Sequence, residues 1–338
     1  MAQPSLPDMF LPKQQKGHDV TPRKILVTGG AGFIGSHVVK TLLARYPGVA
    51  IRVLHLPKEN LLNLQGVNVE LMAGDITQPA DCQRAVDGCD VVFHLAAVYA
   101  LWLPDMNLMD RVNVEGTRNL LEACLQQQVT RVVYTSSFAV FAGQGLDTAC
   151  TEQSDFALGF SHYSRTKYES HKLAKSYLTK GLDIVVVCPT CPLGPGDVGP
   201  TPTGRVIADA FKLPFMFSVY TDSNYVDVRD CALGHVLALE KGRTGESYIL
   251  GGENYTHPDL IHRIQRITKI KRPLITIKPD LLKPMAHLAT FAAQFTKQAP
   301  FTTPVEIEIV KRGLVADATK ARRELGLPTR PIEETLRD

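Results

Sequence analysis

No stretch of these 338 residues is apolar for the length that a membrane span needs. There is no lysine or arginine block. Charged residues make up 21% of the chain and the formal net charge is only +3, a balance that argues against a nucleic-acid-binding protein. A disulfide framework is also missing: the seven cysteines are odd in number, and a chain this long with 44% hydrophobic residues buries a core without staples. Cys188 and Cys191 form a C-x-x-C, but no second pair stands at zinc spacing, and the first follows a buried-strand pattern instead of opening a helix. Core cysteines are expected there, and no metal. The opening MAQPSLPDMFLPKQQKGHDVTPR carries prolines and an aspartate and has no sustained apolar core, so it does not read as a secretory signal. Residues 1–22 are expected to be a loose tail and the protein to be cytoplasmic.

From Lys24 onward, short β-rich runs alternate with helical patterns, as a parallel α/β sheet requires. The pattern predicts strands at Lys24–Thr28, Ile51–Leu56, Val67–Asp75, Asp90–Ala97, Arg131–Ser137 and Asp183–Cys188. Helices are predicted at Phe33–Arg45, Pro79–Val86, Asn107–Gln127 and His162–Lys180. On the third of these, Leu108, Val112, Leu120, Leu121 and Cys124 fall near one face. The strands are apolar at nearly every position, which suits a sheet covered by helices on both sides.

The rhythm breaks at CPTCPLGPGDVGPTPTG, a loop rich in proline and glycine. Beyond it the pattern predicts a helix near Arg205–Phe211, a strand near Tyr225–Val228, a helix over Arg229–Glu240, a strand at Ser247–Leu250 and a helix after Thr256. The expectation is a doubly wound parallel sheet over residues 23–190 and a smaller, mainly helical lobe over 191–330, some of whose segments return to the sheet. Residues 279–298 are apolar enough to touch a membrane surface or a partner, although a packed helix is the ordinary reading.

TGGAGFIGSH, Thr28 to His37, places four glycines within seven residues directly after an apolar run. Glycine is costly to order, so such a cluster solves a backbone problem. Gly29, Gly32 and Gly35 suit a turn that leaves a strand, enters a helix and seats a pyrophosphate. No G-K-[ST] follows, so this is not a nucleoside-triphosphate loop. The ligand expected is NAD or NADP. An acidic residue at the end of the second strand would favour NAD. The run there is HLPKEN, with Glu59 late and Lys58 available for a 2′-phosphate, a slight lean towards NADP. Asp75 and Ile76 could meet adenine, or Asp75 could be a turn residue.

YSRTK places Tyr163 and Lys167 on one helical face, one turn apart. A nearby ammonium favours the phenolate, and the pair can then exchange a proton with a hydroxyl or ketone. Ser136 and Ser137 end the fifth strand and offer hydroxyls for a substrate oxygen.

These motifs together resemble the extended short-chain dehydrogenase/reductase superfamily. TGGAGFIGSH, GD, HLAA, NVEGT, VVYTSS, YSRTK and YVDVRD appear in the family's order. VNVEGTRNLLEAC, LGPGDVGPTPTGR and ARRELGLPTRPIEETLRD look like the branch of hopanoid-associated sugar epimerases, itself similar to dihydroflavonol 4-reductases. The resemblance implies a Rossmann-type domain. It gives Gly29, Gly32, Phe33, Ile34 and Gly35 to the cofactor turn, and Asp75, Ile76, Leu95, Ala96, Ala97 and Pro189 to further cofactor contacts. It implies Ser137, Tyr163, Lys167 and Asn113 as catalytic residues, and a homodimer through the two long helices. The branch usually carries arginine before the second-strand proline; Leu56 stands here, which leaves NAD or NADP open.

The same triad serves net oxidoreduction or epimerisation. Tyr99, Trp102, Phe215 and Phe217 suit an apolar or ring-shaped substrate, though they equally suit the core of the smaller lobe. A diphosphate would call for arginines or lysines. Arg205 and Arg229 are available, with Arg229 an alternative ion-pair partner for Asp227 or Asp230. The expectation is an oxidoreductase for a fairly apolar alcohol or ketone, isoprenoid- or flavonoid-like. A sugar epimerase/dehydratase or a dinucleotide sensor is the alternative.

Overall fold

The computed structural model describes residues 21–199, 201, 203–205, 207–208 and 214–338. Most of the expected tail, much of the helix expected near Arg205–Phe211, and the side chain of Phe217 lie outside the described residues.

Seven strands form one sheet in the order β10-β6-β5-β4-β1-β2-β3. They are β1 (Lys24–Thr28), β2 (Ala50–His55), β3 (Glu70–Ala73), β4 (Val91–His94), β5 (Arg131–Thr135), β6 (Ile184–Pro189) and β10 (Ser247–Leu250). Every pairing in it is parallel. Side chains alternate between two cores, as strand geometry requires. Ile25, Val27, Val91, Phe93, Val185 and Val187 face one side, packed with Val38, Leu42, Val236 and Leu239 of helices Phe33–Arg45 and Val228–Lys241. Leu26, Val92, Val132, Ile184 and Val186 face the other, packed with Cys82, Leu120, Leu121 and Ala174. The chain winds outward from β1 through β2 and β3, then returns to β4 on β1's other side. The carboxyl ends of β1 and β4 therefore open a crevice where a Rossmann-type sheet takes its ligand.

The second lobe is mainly helical, with helices His257–Thr268, Pro279–Thr296, Pro304–Arg312 and Ile332–Arg337. It also holds small sheets. β7 (Cys191–Leu193), β9 (Asp222–Asp227) and β11 (Glu253–Thr256) form one, and β8 (Met216–Val219) pairs with β12 (Leu274–Ile277) in another. Among the described residues no helix is long and apolar enough to cross a membrane. All seven cysteines are free, and no group of three potential metal ligands occurs among the described residues.

Several expectations need correction: the strands expected at Val67–Asp75 and Asp90–Ala97 are only Glu70–Ala73 and Val91–His94. The helix from Asn107 is not regular: Asn107–Met109 leads into a π-helical turn at Asp110–Gly116 before the α-helix resumes at Thr117–Gln126. A π turn carries more residues per turn, so the apolar stripe slips in phase. Leu120, Leu121 and Cys124 still reach the core, while Leu108 and Val112 line a cavity.

Candidate active site

Gly29 leaves β1 at φ +69°, in the left-handed region, and a Cβ there would stand 2.8 Å from the Ala96 nitrogen and 2.9 Å from its Cα. A Cβ on Gly35 would collide with the Gly29 carbonyl. Both positions therefore need glycine, for the turn and for the close approach of helix to turn. The helix Phe33–Arg45 starts with no side-chain cap and no acidic residue in its first turn. Its free N–H groups and positive dipole end face the cavity, a setting for phosphate.

Beneath the turn a buried hydrogen-bonded chain ties β1, β4 and the long helix together. The Ala96 N–H donates to Thr28 Oγ1 at 3.2 Å, Thr28 Oγ1 is 2.8 Å from His94 Nδ1, and His94 Nε2 is 2.9 Å from Thr117 Oγ1. Thr117 donates onward to the Asn113 carbonyl at 2.7 Å. That bond uses its only proton, so Thr117 accepts from His94 Nε2–H, and Thr28 donates to Nδ1. His94 is thereby fixed as one neutral tautomer, and burial lowers its pKa to about 3.

A cavity of about 550 Å³ runs from Leu56, Glu59 and Asp75 past the glycine turn to Ser137, Tyr163 and Lys167. Gly29, Gly32, Phe33, Ile34, Gly35, Asp75, Ile76, Leu95, Ala96, Ala97 and Pro189 all line it. Asp75 also shapes its own turn: its Oδ1 accepts the Thr77 N–H at 2.8 Å. Lys58 is exposed and is not among the lining residues; Glu59 is, with Oε2 accepting the Leu56 N–H at 2.9 Å.

Helix His162–Ser176 is capped by Ser161, whose side chain accepts from the Ser164 N–H. This helix brings Tyr163 and Lys167 to the cavity wall. Lys167 Nζ donates to the Thr135 carbonyl at 2.9 Å and lies 5.3 Å from the centre of the Tyr134 ring. Burial lowers its pKa to about 8. Tyr163 moves the other way from the sequence expectation: burial raises its pKa to about 12, against a hydrogen bond from Ser137 that pulls it down. Desolvation of the phenolate outweighs its stabilisation, so Tyr163 holds its proton at neutral pH.

The two serines diverge. Ser136 is buried, 2.9 Å from His171 Nδ1, whereas Ser137 lines the cavity beside Tyr163 and accepts from the Ala139 N–H. Asn113, 1% exposed, does not reach the cavity. Its side chain brackets Val98, accepting from its N–H at 2.8 Å and donating to its carbonyl at 3.0 Å, and also donates to Thr166. It holds the backbone of Val98, next to Tyr99, in place.

At the far end Tyr99 lines the cavity with Leu101, Leu108, Leu158, Ile309 and Leu314, whereas Trp102 and Phe215 are not among the lining residues. Arg229 is engaged internally, with Asp227 at 2.6 Å and Asp338 at 2.5 Å, and Arg205 is exposed. Lys167 is the only lysine or arginine among the described lining residues. Sequence reasoning did not reach Leu158, Ile309 and Leu314, which come from distant parts of the chain and carry no local motif.

Residues 25–251 match the model of the NAD dependent epimerase/dehydratase family. A Synechocystis sp. protein that carries dihydroflavonol 4-reductase as a provisional name is 34% identical over 318 residues, covering 92% of each chain. Sterol demethylase protein B of Methylococcus capsulatus is 31% identical over 306 residues, covering 89% of this chain and 92% of its own. The crystal structure of gox2253 is 35% identical with a TM-score of 0.82, covering 94% of this chain and 96% of that one. The crevice, the glycine turn and these relationships agree: the chain belongs to the NAD dependent epimerase/dehydratase family and is an NAD(P)-dependent dehydrogenase/reductase or epimerase.

Proposed function

We propose that the protein interconverts a secondary alcohol and a ketone on a fairly apolar, isoprenoid-like substrate, in the manner of the dihydroflavonol 4-reductase-like branch of its family. The observation that carries this reading is the substrate end of the cavity. It is walled by Leu101, Leu108, Leu158, Ile309 and Leu314, and no arginine is among the described lining residues. A nucleotide sugar brings a diphosphate, which calls for cations. An apolar ring system calls for the wall that is present.

The residues fit a dinucleotide. The turn at Gly29 and Gly35 leaves no room for a Cβ, the first helix is uncapped, and Lys167 is buried with an ammonium available. Gly32, Phe33, Ile34 and Gly35 would hold the pyrophosphate, Asp75 and Ile76 the adenine, and Lys167 the nicotinamide ribose. The Glu59 carboxylate at the adenosine end supports NAD over NADP, because a 2′-phosphate there would meet a like charge. This reverses the lean drawn from Lys58.

When bound, the nicotinamide supplies or accepts the hydride. Ser137 holds the substrate oxygen and Tyr163 Oη gives it a proton on reduction or takes one on oxidation. Tyr163 holds its proton at neutral pH and has it to donate when the ketone is reduced. Lys167, one helical turn along from Tyr163, brings the positive charge that offsets the charge left on the phenol. The apolar wall excludes water from the reacting carbon.

Native mass spectrometry of gently purified protein, with NADH and NADPH titrations and a panel of apolar ketones, tests the reading. Reversible NADH binding and cofactor oxidation with an apolar ketone are expected. A tightly retained NAD that never exchanges, with turnover of a nucleotide sugar, would overturn it in favour of an epimerase.

A further inference from the structure

Helix Pro279–Thr296 presents one apolar face to its own lobe and a second to solvent. Ala286 and Ala293, seven residues apart, are buried, and the helix packs against Pro304–Arg312. On the opposite side Leu281 is 72% exposed, Leu288 69% and Phe295 73%, with Met285 and Phe291 on the same stripe. The spacing is that of a single helical face. From Leu281 to Phe295 the stripe runs about 21 Å along the helix. A monomeric protein rarely leaves a continuous apolar surface of this kind uncovered.

Charge identifies what covers it. Residues 266–298 carry Arg266, Lys269, Lys271, Arg272, Lys278, Lys283 and Lys297 against Asp280 alone, a net +6. The whole chain is +3, so everything outside this segment sums to −3. Lys283 is paired with Asp280 and Glu308, but Lys269, Lys271, Lys278 and Lys297 are exposed. Lys278 and Lys297 stand immediately before and after the helix, one at each end of the stripe. Ile275, on β12 just before it, is exposed as well.

We infer that helix Pro279–Thr296 lies in the surface of an anionic lipid bilayer, its stripe among the acyl chains and its flanking lysines on the headgroups. The segment does not span, because no described helix is apolar enough to cross. A second copy is a poorer occupant: a two-fold contact through this face would set each cation-rich segment against its twin. Ile309, on the helix packed against this one, lines the cavity, so the apolar surface and the apolar substrate end belong to the same corner of the lobe. The surface is argued independently of the reaction, and its test uses neither substrate nor cofactor.

The experiment is flotation of the full chain with vesicles of phosphatidylcholine alone or mixed with phosphatidylglycerol. Binding to the mixed vesicles should be at least about tenfold stronger than to phosphatidylcholine and should weaken with salt. The triple variant Leu281→Gln/Leu288→Gln/Phe295→Gln should lose it. Lys278→Glu/Lys297→Glu, which changes only exposed side chains and so leaves the fold intact, should weaken it to a similar degree. The inference is overturned if the protein fails to float with anionic vesicles, or floats equally well as both variants. It is also overturned if light scattering without lipid shows a dimer that the triple variant converts to monomer.

Discussion

The rings of Tyr99 and Tyr163 stand 4.7 Å apart, centre to centre, with their planes 61° apart. Both line the cavity, Tyr99 with about half of its surface exposed, so two phenols face the place where a substrate oxygen would sit. Only Tyr163 is hydrogen-bonded to Ser137 and only Tyr163 shares a helical face with Lys167. The two are therefore separable by experiment. Tyr163→Phe should keep cofactor binding and lose roughly a hundredfold to ten-thousandfold in turnover, the usual worth of a positioned proton donor. Tyr99→Phe keeps the ring that packs and should cost less than about tenfold. Steady-state kinetics on both variants checks this, and an equal loss in the two would remove Tyr163 from its assigned role.

The adenosine end offers a second separation. Glu59 lines the cavity three residues beyond Leu56, whose N–H its carboxylate accepts at 2.9 Å. A charge held there by the backbone repels a 2′-phosphate at close range. Glu59→Gln keeps the acceptor oxygen and removes the charge. It should tighten NADPH binding by about tenfold, a change of about 1.4 kcal/mol, and leave NADH within about threefold. Fluorescence titration of both cofactors measures the ratio. A variant with an unchanged NADPH affinity would exclude Glu59 from cofactor choice.

How far the sequence reached follows the range of the interaction in question. Lys24–Thr28, Phe33–Arg45 and Ser247–Leu250 are legible to the residue because strand patterning and glycine placement act locally. The places of Gly29, Tyr163 and Lys167 on the cavity wall are legible for the same reason, each lying in a short motif whose spacing carries its geometry. The π turn at Asp110–Gly116 was not, because periodicity at 3.6 residues assumes the regular helix that the turn interrupts. The resemblance implies a catalytic Asn113, and no local pattern reveals that the fold brings Val98 within reach of both ends of its amide. Lys58 and Glu59 are adjacent in sequence, and only the path of the loop after β2 decides which of them meets the cavity. The wall made by Leu158, Ile309 and Leu314 is assembled from segments too far apart in sequence for any motif to join.

Three buried histidines weaken the fold in acid. Burial lowers the pKa of His94 to about 3 and those of His171 and His235 to about 4. His235 Nδ1 donates to the Cys231 carbonyl at 2.8 Å, so its bare Nε2 accepts from Thr135. An unfolded chain protonates each near pH ~6.5. Below that pH the unfolded state takes up protons that the folded state refuses, so stability is full above about 6.5 and falls as pH drops towards 4. With all three titrating, the slope reaches about 4 kcal/mol per pH unit. Replacing His94 by asparagine removes one titrating group and should cut the slope by about 1.4 kcal/mol per unit. It should also lower stability at pH ~7.5 by about 1–3 kcal/mol, because Thr28 and Thr117 lose their shared partner. Urea unfolding between pH ~4.5 and ~7.5 measures both effects. A slope unchanged in the variant would mean that His94 already carries its proton in the folded state, and the tautomer-ordered chain beneath the glycine turn would have to be abandoned.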